Sequence, residues 1–111
     1  LGDAIEPGEI PKAAYAAHGQ AELCAAHLRH ELLDLPETQP GLPNACWSLI
    51  TPDHAVKVGG TYRPAPDGFE QIEAFISQAT DAEEVRRANV GEGQVWYDWM
   101  IQEMFGPPRR P

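Results

Sequence analysis

Two histidines and neighbouring acidic residues recur in a part of the sequence that has helical periodicity. His27, His30, Glu31 and Asp34 follow one another at spacings of one to three residues. On a helix that turns about 100° per residue, this spacing places them within one face, with Cys24 at its edge. Imidazole, carboxylate and thiolate groups are ligands for zinc and similar metals. A divalent metal such as zinc, held near His27, His30 and Glu31, is therefore one interpretation.

The same spacing lacks the second short ligand pair that completes a structural zinc site. Cys46 and His54 are the remaining soft-ligand candidates, and the seven residues between them do not match a short zinc knuckle. The simpler interpretation is a solvated helix face on which the two histidines form i,i+4 ion pairs with Glu31 and Asp34, each worth about 0.2–0.5 kcal/mol. We therefore expect no cofactor.

Cys46, His54 and Asp53 could formally supply a nucleophile, a base and an orienting carboxylate. However, Cys46 precedes Trp47 in an apolar stretch, where a buried and inert thiol is the usual outcome. Two cysteines in a chain of this length do not form a disulfide framework. We therefore predict that Cys24 and Cys46 are free thiols and that no catalytic site is evident.

The segment Gln94–Phe105 carries two of the three tryptophans and is apolar around most of its circumference if it is helical. A helix of this kind must be covered on most sides, either as a central core element or at an interface with a second chain. The residues that would bind a partner are Trp96, Trp99, Met100 and Met104.

Helices and strands must position these side chains. The spacing of apolar residues and the positions of glycine and proline predict where these elements begin and end. Apolar residues three or four apart predict a helix from Lys12 to Leu35, which Gly19 weakens or divides and Pro36 ends. The proline-rich residues 36–44 predict a loop. Residues 45–50 and 55–58, separated by a turn containing proline and aspartate, predict a β-hairpin.

The second half is predicted to be mainly helical. Gly59 and Gly60 should break or bulge the second strand before a short third segment at 61–63. An apolar stripe predicts a helix at 68–79. Thr80 and Glu83 match a capping box, which predicts a short helix at 81–89 that Gly91 and Gly93 close before the aromatic helix at 94–105.

The predicted fold is therefore α+β: a long N-terminal helix, a small antiparallel hairpin sheet of two or three strands, and two to three C-terminal helices packed on it. Residues 1–11 hold two prolines, two glycines and three acids and predict a mobile arm. Residues 12–106 form a single globular domain in this interpretation, and residues 107–111 form a tail.

Composition limits the classes of partner. The chain has 111 residues, with 8 Lys and Arg against 17 Asp and Glu, for a net charge of −9. Phosphate-backbone affinity comes from cationic contacts, so nucleic-acid binding is disfavoured. No apolar run approaches the roughly 20 residues that a membrane span needs. We expect a cytoplasmic protein that does not bind a membrane; a processed or truncated N-terminus is the alternative, because the sequence begins at Leu1 and not at Met.

The absence of a catalytic or cofactor motif favours a small acidic, non-enzymatic interaction module, such as an inhibitor, immunity protein, adaptor or assembly subunit. Its partner would be another protein with a basic surface, or a second copy of the chain, since two-fold dimers are the commonest oligomers. The competing hypothesis is a small ligand-binding domain or enzyme with a site near His27, His30 and Glu31. Mimicry of nucleic acid by a clustered acidic face is a third alternative.

Overall fold

The computed structural model describes residues 1–36 and 41–107. Within them lie two α-helices and a three-stranded antiparallel sheet with the strand order β1-β2-β3. The α+β class is therefore confirmed. The helices and strands, in chain order, are α1 (Ala14–Leu33), β1 (Leu42–Thr51), β2 (His54–Ala65), β3 (Gly68–Ile76) and α2 (Glu83–Phe105), preceded by a 3-10 helix at Gly2–Ala4.

The long N-terminal helix is present as predicted, and Gly19 does not divide it. A Cβ atom on Gly19 would lie 3.0 Å from Leu42 Cδ2, so the glycine allows β1 to come close to α1. The helix ends where Asp34 adopts a left-handed conformation (φ 53°) and donates its N–H to the His30 carbonyl. Close packing therefore explains a residue that helix propensity alone disfavours.

The β-hairpin is also confirmed, with Pro52 and Asp53 in the turn. Its strands are longer than predicted, because β1 already begins at Leu42 inside the predicted loop; residues 37–40 of that loop lie outside the described residues. Gly59 does not break β2. A Cβ atom there would lie 2.1 Å from the Asn44 carbonyl oxygen, so this position accepts no side chain. The ladder is irregular two residues later, between Thr61 and Tyr62.

The helix predicted at 68–79 is wrong, because these residues form strand β3. It pairs antiparallel with β2, from Ala65 opposite Gly68 to Val58 opposite Ile76. Pro66 and Asp67 form the connecting turn, and Gly68 follows it with a φ of 126° that other residues rarely adopt. The spacing of the apolar residues is also typical of a helix. The segment forms a strand because the residues of the turn reverse the chain and the edge of β2 is available for pairing.

The two helices predicted at 81–89 and 94–105 are one continuous helix, α2. Gly91 and Gly93 lie inside it and do not close it. The capping box is wrong as well: the N-cap is Ala82 and makes no side-chain cap bond, while Asp81 Oδ2 accepts a hydrogen bond from the Gln78 amide at 2.7 Å. The predicted stop at Gly106 is correct. Of the predicted tail, residues 108–111 lie outside the described part.

A small single α+β domain is supported, and its contacts divide it into two compact units; the bounds of the domain at 12 and 106 stay a prediction. The first unit contains residues 1–46 and 58–76, and the second contains residues 47–57 and 77–111. The first unit has a small apolar core, whose buried members are Ile10, Ala16, Leu42 and Tyr62, with Leu23 and Phe69 packed against it.

The N-terminal segment, predicted as a mobile arm, is attached to this first unit. Glu9 donates its N–H to the Phe69 carbonyl at 2.7 Å, and the Phe69 N–H is donated to the Pro7 carbonyl at 3.1 Å. Ile10 is 1% exposed. The high proline and acid content suggested disorder, but a single buried isoleucine and a β-bridge connect the segment to β3.

No helix within the described residues is long and apolar enough to cross a membrane.

Replacement of Ile10 tests the attachment of the N-terminal segment. Ile10→Ala should lower the free energy of unfolding by about 2–4 kcal/mol, because it removes a buried side chain and leaves a cavity. Leu1→Ala is the matched control in the same segment, since Leu1 is 55% exposed, and should change it by less than about 0.5 kcal/mol. Chemical denaturation measures both. Equal, small effects would show that the segment is detached.

Candidate functional site

The second unit is organised around two stacked tryptophans. Trp47 lies on β1 and Trp96 on α2, with their ring centroids 6.1 Å apart and their planes inclined by 30°. Gly93 lies one helical turn before Trp96, and a Cβ atom on it would be 3.2 Å from both Cβ and Cγ of Trp47. The glycine therefore allows α2 to approach the indole closely, which is the packing reason for a residue unfavourable within a helix.

An open apolar pocket of about 350 Å³ lies beside this pair. It is lined by Trp47, Leu49, Gly93, Gln94, Trp96 and Tyr97. Gln94 donates a hydrogen bond from Nε2 to Asp98 Oδ1 at 2.8 Å, so its amide is held along the helix. Aromatic walls with few polar groups favour a planar aromatic ligand over a small polar one.

Lys57 places a cation next to the aromatic pair. Its Nζ atom lies 5.7 Å from the centroid of a Trp47 ring and 2.5 Å from Glu92 Oε2. The ammonium group is thus attracted both by the indole face and by a carboxylate. This ion pair is half-buried and links β2 to the middle of α2. It helps to fix the position of Trp47.

A polar network continues from Lys57 towards the beginning of α2. The backbone N–H of Lys57 is donated to Ser77 Oγ at 2.8 Å, and the Ser77 N–H is donated to the Lys57 carbonyl at 2.8 Å. The buried Asn89 side chain donates to Ser77 Oγ and to the Ala55 carbonyl, each at 3.3 Å. Together these bonds fix α2 against β2 and so determine which helix face meets Trp47.

The predicted partner-binding residues differ in exposure. Trp96 stacks on Trp47 and lines the pocket, and Met100 is half-buried. Trp99 and Met104 are 38% and 57% exposed. Large apolar side chains of α2 thus remain exposed, and the assignment of these residues to a partner surface stays a prediction.

The predicted metal ligands do not come together. His27 is exposed, whereas His30 Nδ1 lies 2.5 Å from the Leu35 carbonyl and His30 Nε2 lies 3.9 Å from Glu31 Oε1. Among residues 1–36 and 41–107, no group of three or more His, Cys, Asp or Glu side chains could hold a metal ion. The adjacent positions of His30 and Glu31 place them in contact without creating a coordination site.

Cys24 and Cys46 are free thiols, as predicted. Sequence reasoning missed Lys57, Asn89 and Gly93, which position the pocket. Lys57 and Asn89 belong to no recognisable sequence motif, and Gly93 was interpreted as the end of a helix. The sequence held no signal that distinguishes Gly93, because Gly91, two residues earlier in the same helix, makes no such close contact.

The described residues form a small α+β fold, and the pocket in its second unit has aromatic walls. The model of the family described as flavocytochrome c sulphide dehydrogenase, flavin-binding, matches residues 38–105, which is more than half of the chain. The chain belongs to this family.

This membership corrects two predictions. The non-enzymatic interaction module is wrong, because the family is the flavin-binding part of a dehydrogenase. The expectation of no cofactor is wrong for the same reason, and the alternative of a divalent metal gains no support from the family. A protein partner agrees with the family name, which joins a flavin-binding part to a cytochrome c.

The two glycines of α2 provide a matched test of the packing. No heavy atom of the described chain lies within 4 Å of a Cβ placed on Gly91, so Gly91→Ala should raise the free energy of unfolding by about 0.5–1 kcal/mol through helix propensity. Gly93→Ala should raise the free energy of unfolding by less than Gly91→Ala does. It should also shift the tryptophan emission, because the new methyl group displaces Trp47. Equal stabilisation with unchanged emission would contradict the close approach.

Proposed function

We propose that this chain serves the flavin of a sulphide-oxidising flavocytochrome c, and that the aromatic pocket contacts the flavin ring. The observation that carries the proposal is the combination of family and geometry: a flavin-binding family match covers residues 38–105, and within them β1 and α2 form a pocket walled by Trp47, Trp96 and Tyr97.

The residues of the pocket fit the ring system of a flavin. The isoalloxazine is planar, aromatic and apolar on both faces, and offset stacking against indole or phenol rings suits it. The pocket volume of about 350 Å³ lies at the lower end of the range for small-molecule sites. When bound, a flavin supplies hydride and one-electron transfer chemistry.

The chain is less suited to the phosphates of a flavin nucleotide. The sequence contains no G-x-G-x-x-G fingerprint, and its net charge of −9 opposes an anionic tail. We therefore infer that the described residues contact the ring and that the tail extends away from this acidic chain.

The chain's own residues then have separable roles. Trp96 and Tyr97 on α2 form the wall that would exclude water from the ring, and Gly93 allows this wall to approach β1. The Lys57–Glu92 ion pair holds Trp47 through the cation–π contact. A dry aromatic contact of this kind strengthens any electrostatic interaction made at the polar edge of the ring.

Two tryptophans on the same helix test this assignment. Trp96→Ala should weaken flavin binding about tenfold or more, since stacking on a nucleobase is worth about 1–3 kcal/mol by alanine substitution. Trp99→Ala is the matched control, because Trp99 does not line the pocket, and should change affinity less than about twofold. Quenching of flavin fluorescence in the purified protein measures both.

Equal losses in the two variants would assign the effect to the helix as a whole and reject the pocket. Retention of affinity in Trp96→Ala would likewise reject it. Circular dichroism of each variant checks that the helix content is unchanged.

We also infer that the exposed end of α2 contacts a protein partner, the cytochrome c component of the same enzyme. Met104 and Phe105 are 57% and 76% exposed, and Trp99 and Ile101 add to the same apolar end of the helix. Apolar residues exposed in this number favour an interface over solvent. The charge of −9 favours a partner with a basic surface, and a second copy of this chain is the alternative occupant.

Met104→Glu tests this interface. A charge buried without a partner should weaken assembly with the cytochrome c component by about tenfold or more. Val85→Glu is the control, since Val85 is exposed at the other end of α2. Surface plasmon resonance at two salt concentrations measures affinity and the expected loss of association rate at higher salt. A salt-independent homodimer that Met104→Glu dissociates would instead identify the second copy as the occupant.

The cytoplasmic location stays a prediction from the sequence, and fractionation of cells from the native source tests it.

A further inference from the structure

A second pocket, of about 450 Å³, lies in the same unit at the beginning of α2 and at the turn end of β2. It shares no lining residue with the aromatic pocket. Its walls are His54, Ala55, Val56, Ser77, Gln78, Ala79 and Arg86. The mixture of hydrogen-bond donors and small apolar side chains is what gives this pocket a ligand preference.

Arg86 supplies a cation whose hydrogen-bonding capacity is only partly used. Its side chain is half-buried, and Nη2 donates to the Ala79 carbonyl at 2.6 Å. Within the part of the chain that the structure describes, Arg86 makes no other side-chain hydrogen bond and no ion pair. A guanidinium group has five N–H donors, so the others are available to a ligand.

Ser77 adds a hydroxyl donor. Its Oγ atom accepts two hydrogen bonds, from the Lys57 N–H at 2.8 Å and from Asn89 Nδ2 at 3.3 Å. These two bonds occupy both lone pairs of the oxygen. The hydroxyl hydrogen takes part in neither bond, and Ser77 lines the pocket.

The carboxylates near this pocket are already engaged. Asp81 Oδ2 accepts the Gln78 N–H at 2.7 Å, and Glu83 Oε1 accepts a hydrogen bond from Arg87 at 2.6 Å. The half-buried His54 ring is a further group that can donate. The pocket thus offers donors and a cation, while Asp81 and Glu83 are engaged by the Gln78 N–H and by Arg87.

We propose that this pocket binds a small organic anion, with its oxyanion group on Arg86 and Ser77 and its apolar body against Ala55, Val56 and Ala79. Charge-assisted bonds from a guanidinium fork match a carboxylate or a similar planar oxyanion. The methyl groups of the wall give no polar partner, so they favour a ligand whose remainder is apolar. The site is separate from the proposed flavin contact and does not depend on it.

Benzoate is the test probe, and its uncharged analogue benzamide is the ligand control. Titration followed by ¹H–¹⁵N spectra of the protein should show saturable shifts at Arg86 and Ser77 with benzoate. Benzamide, which lacks the charge, and sulfate, which lacks the apolar body, should each bind at least about tenfold more weakly. The affinity for benzoate should fall about tenfold or more in Arg86→Gln. Arg87→Gln, one residue along the same helix and outside the pocket, should bind benzoate within about twofold of the unmodified protein.

Any of three outcomes would overturn the proposal. They are that benzoate causes no saturable shifts, that benzamide or sulfate binds as tightly as benzoate, or that Arg86→Gln binds benzoate as tightly as the unmodified protein does. If Arg86→Gln fails to fold, His54→Gln and the comparison of benzoate with benzamide on the unmodified protein decide instead. Flavin affinity measured on the same samples separates this result from the proposed flavin contact, because Arg86→Gln should leave that affinity unchanged.

Discussion

The contact between Trp47 and Trp96 is the constraint on which the second unit depends. The two indole centroids lie 6.1 Å apart, and Gly93 permits this approach of α2 to β1 because a Cβ atom at that position would lie 3.2 Å from Trp47. The Lys57–Glu92 ion pair and the Asn89 hydrogen bonds fix the rotation of α2 about its axis. Once that rotation is fixed, the residues that line the pocket and those that remain exposed at the end of the helix follow from the helical repeat.

The parts of the fold that could be predicted are those in which local and tertiary preferences agree. Helix α1, the first hairpin and the end of α2 at Gly106 are of this kind. The segment 68–76 is not, because its apolar spacing suits a helix while the Pro66–Asp67 turn and the edge of β2 require a strand. Gly93 misled for a related reason: glycine ends an isolated helix, but at this position it allows the close approach of Trp47.

The candidate site could be predicted only in part. Trp96 was singled out as a partner-binding residue because it lies in a segment that is apolar around most of its circumference, and its spacing indicated no flavin. Aromatic surfaces that receive a planar cofactor have no fixed spacing of charged residues, so the absence of a motif carried no weight against a cofactor. The expectation of no cofactor, which was argued from the absence of a motif, is therefore contradicted by the family. The histidine face of α1 shows the opposite case, because its residues have the spacing of metal ligands but form no metal site among the described residues.

The small core of the second unit connects stability to function. Among its described residues only Ala55 and Asn89 are fully buried, and one of the two is polar. A unit with so little buried apolar surface has little intrinsic stability. A ligand that binds the folded form alone adds RT ln(1 + [L]/Kd), or about 2.7 kcal/mol at a hundredfold excess over Kd. For the proposed flavin contact, the cofactor would therefore be a structural part of this unit as well as a reactive one, because stacking on Trp47 and Trp96 would cover the surface that the chain itself leaves open.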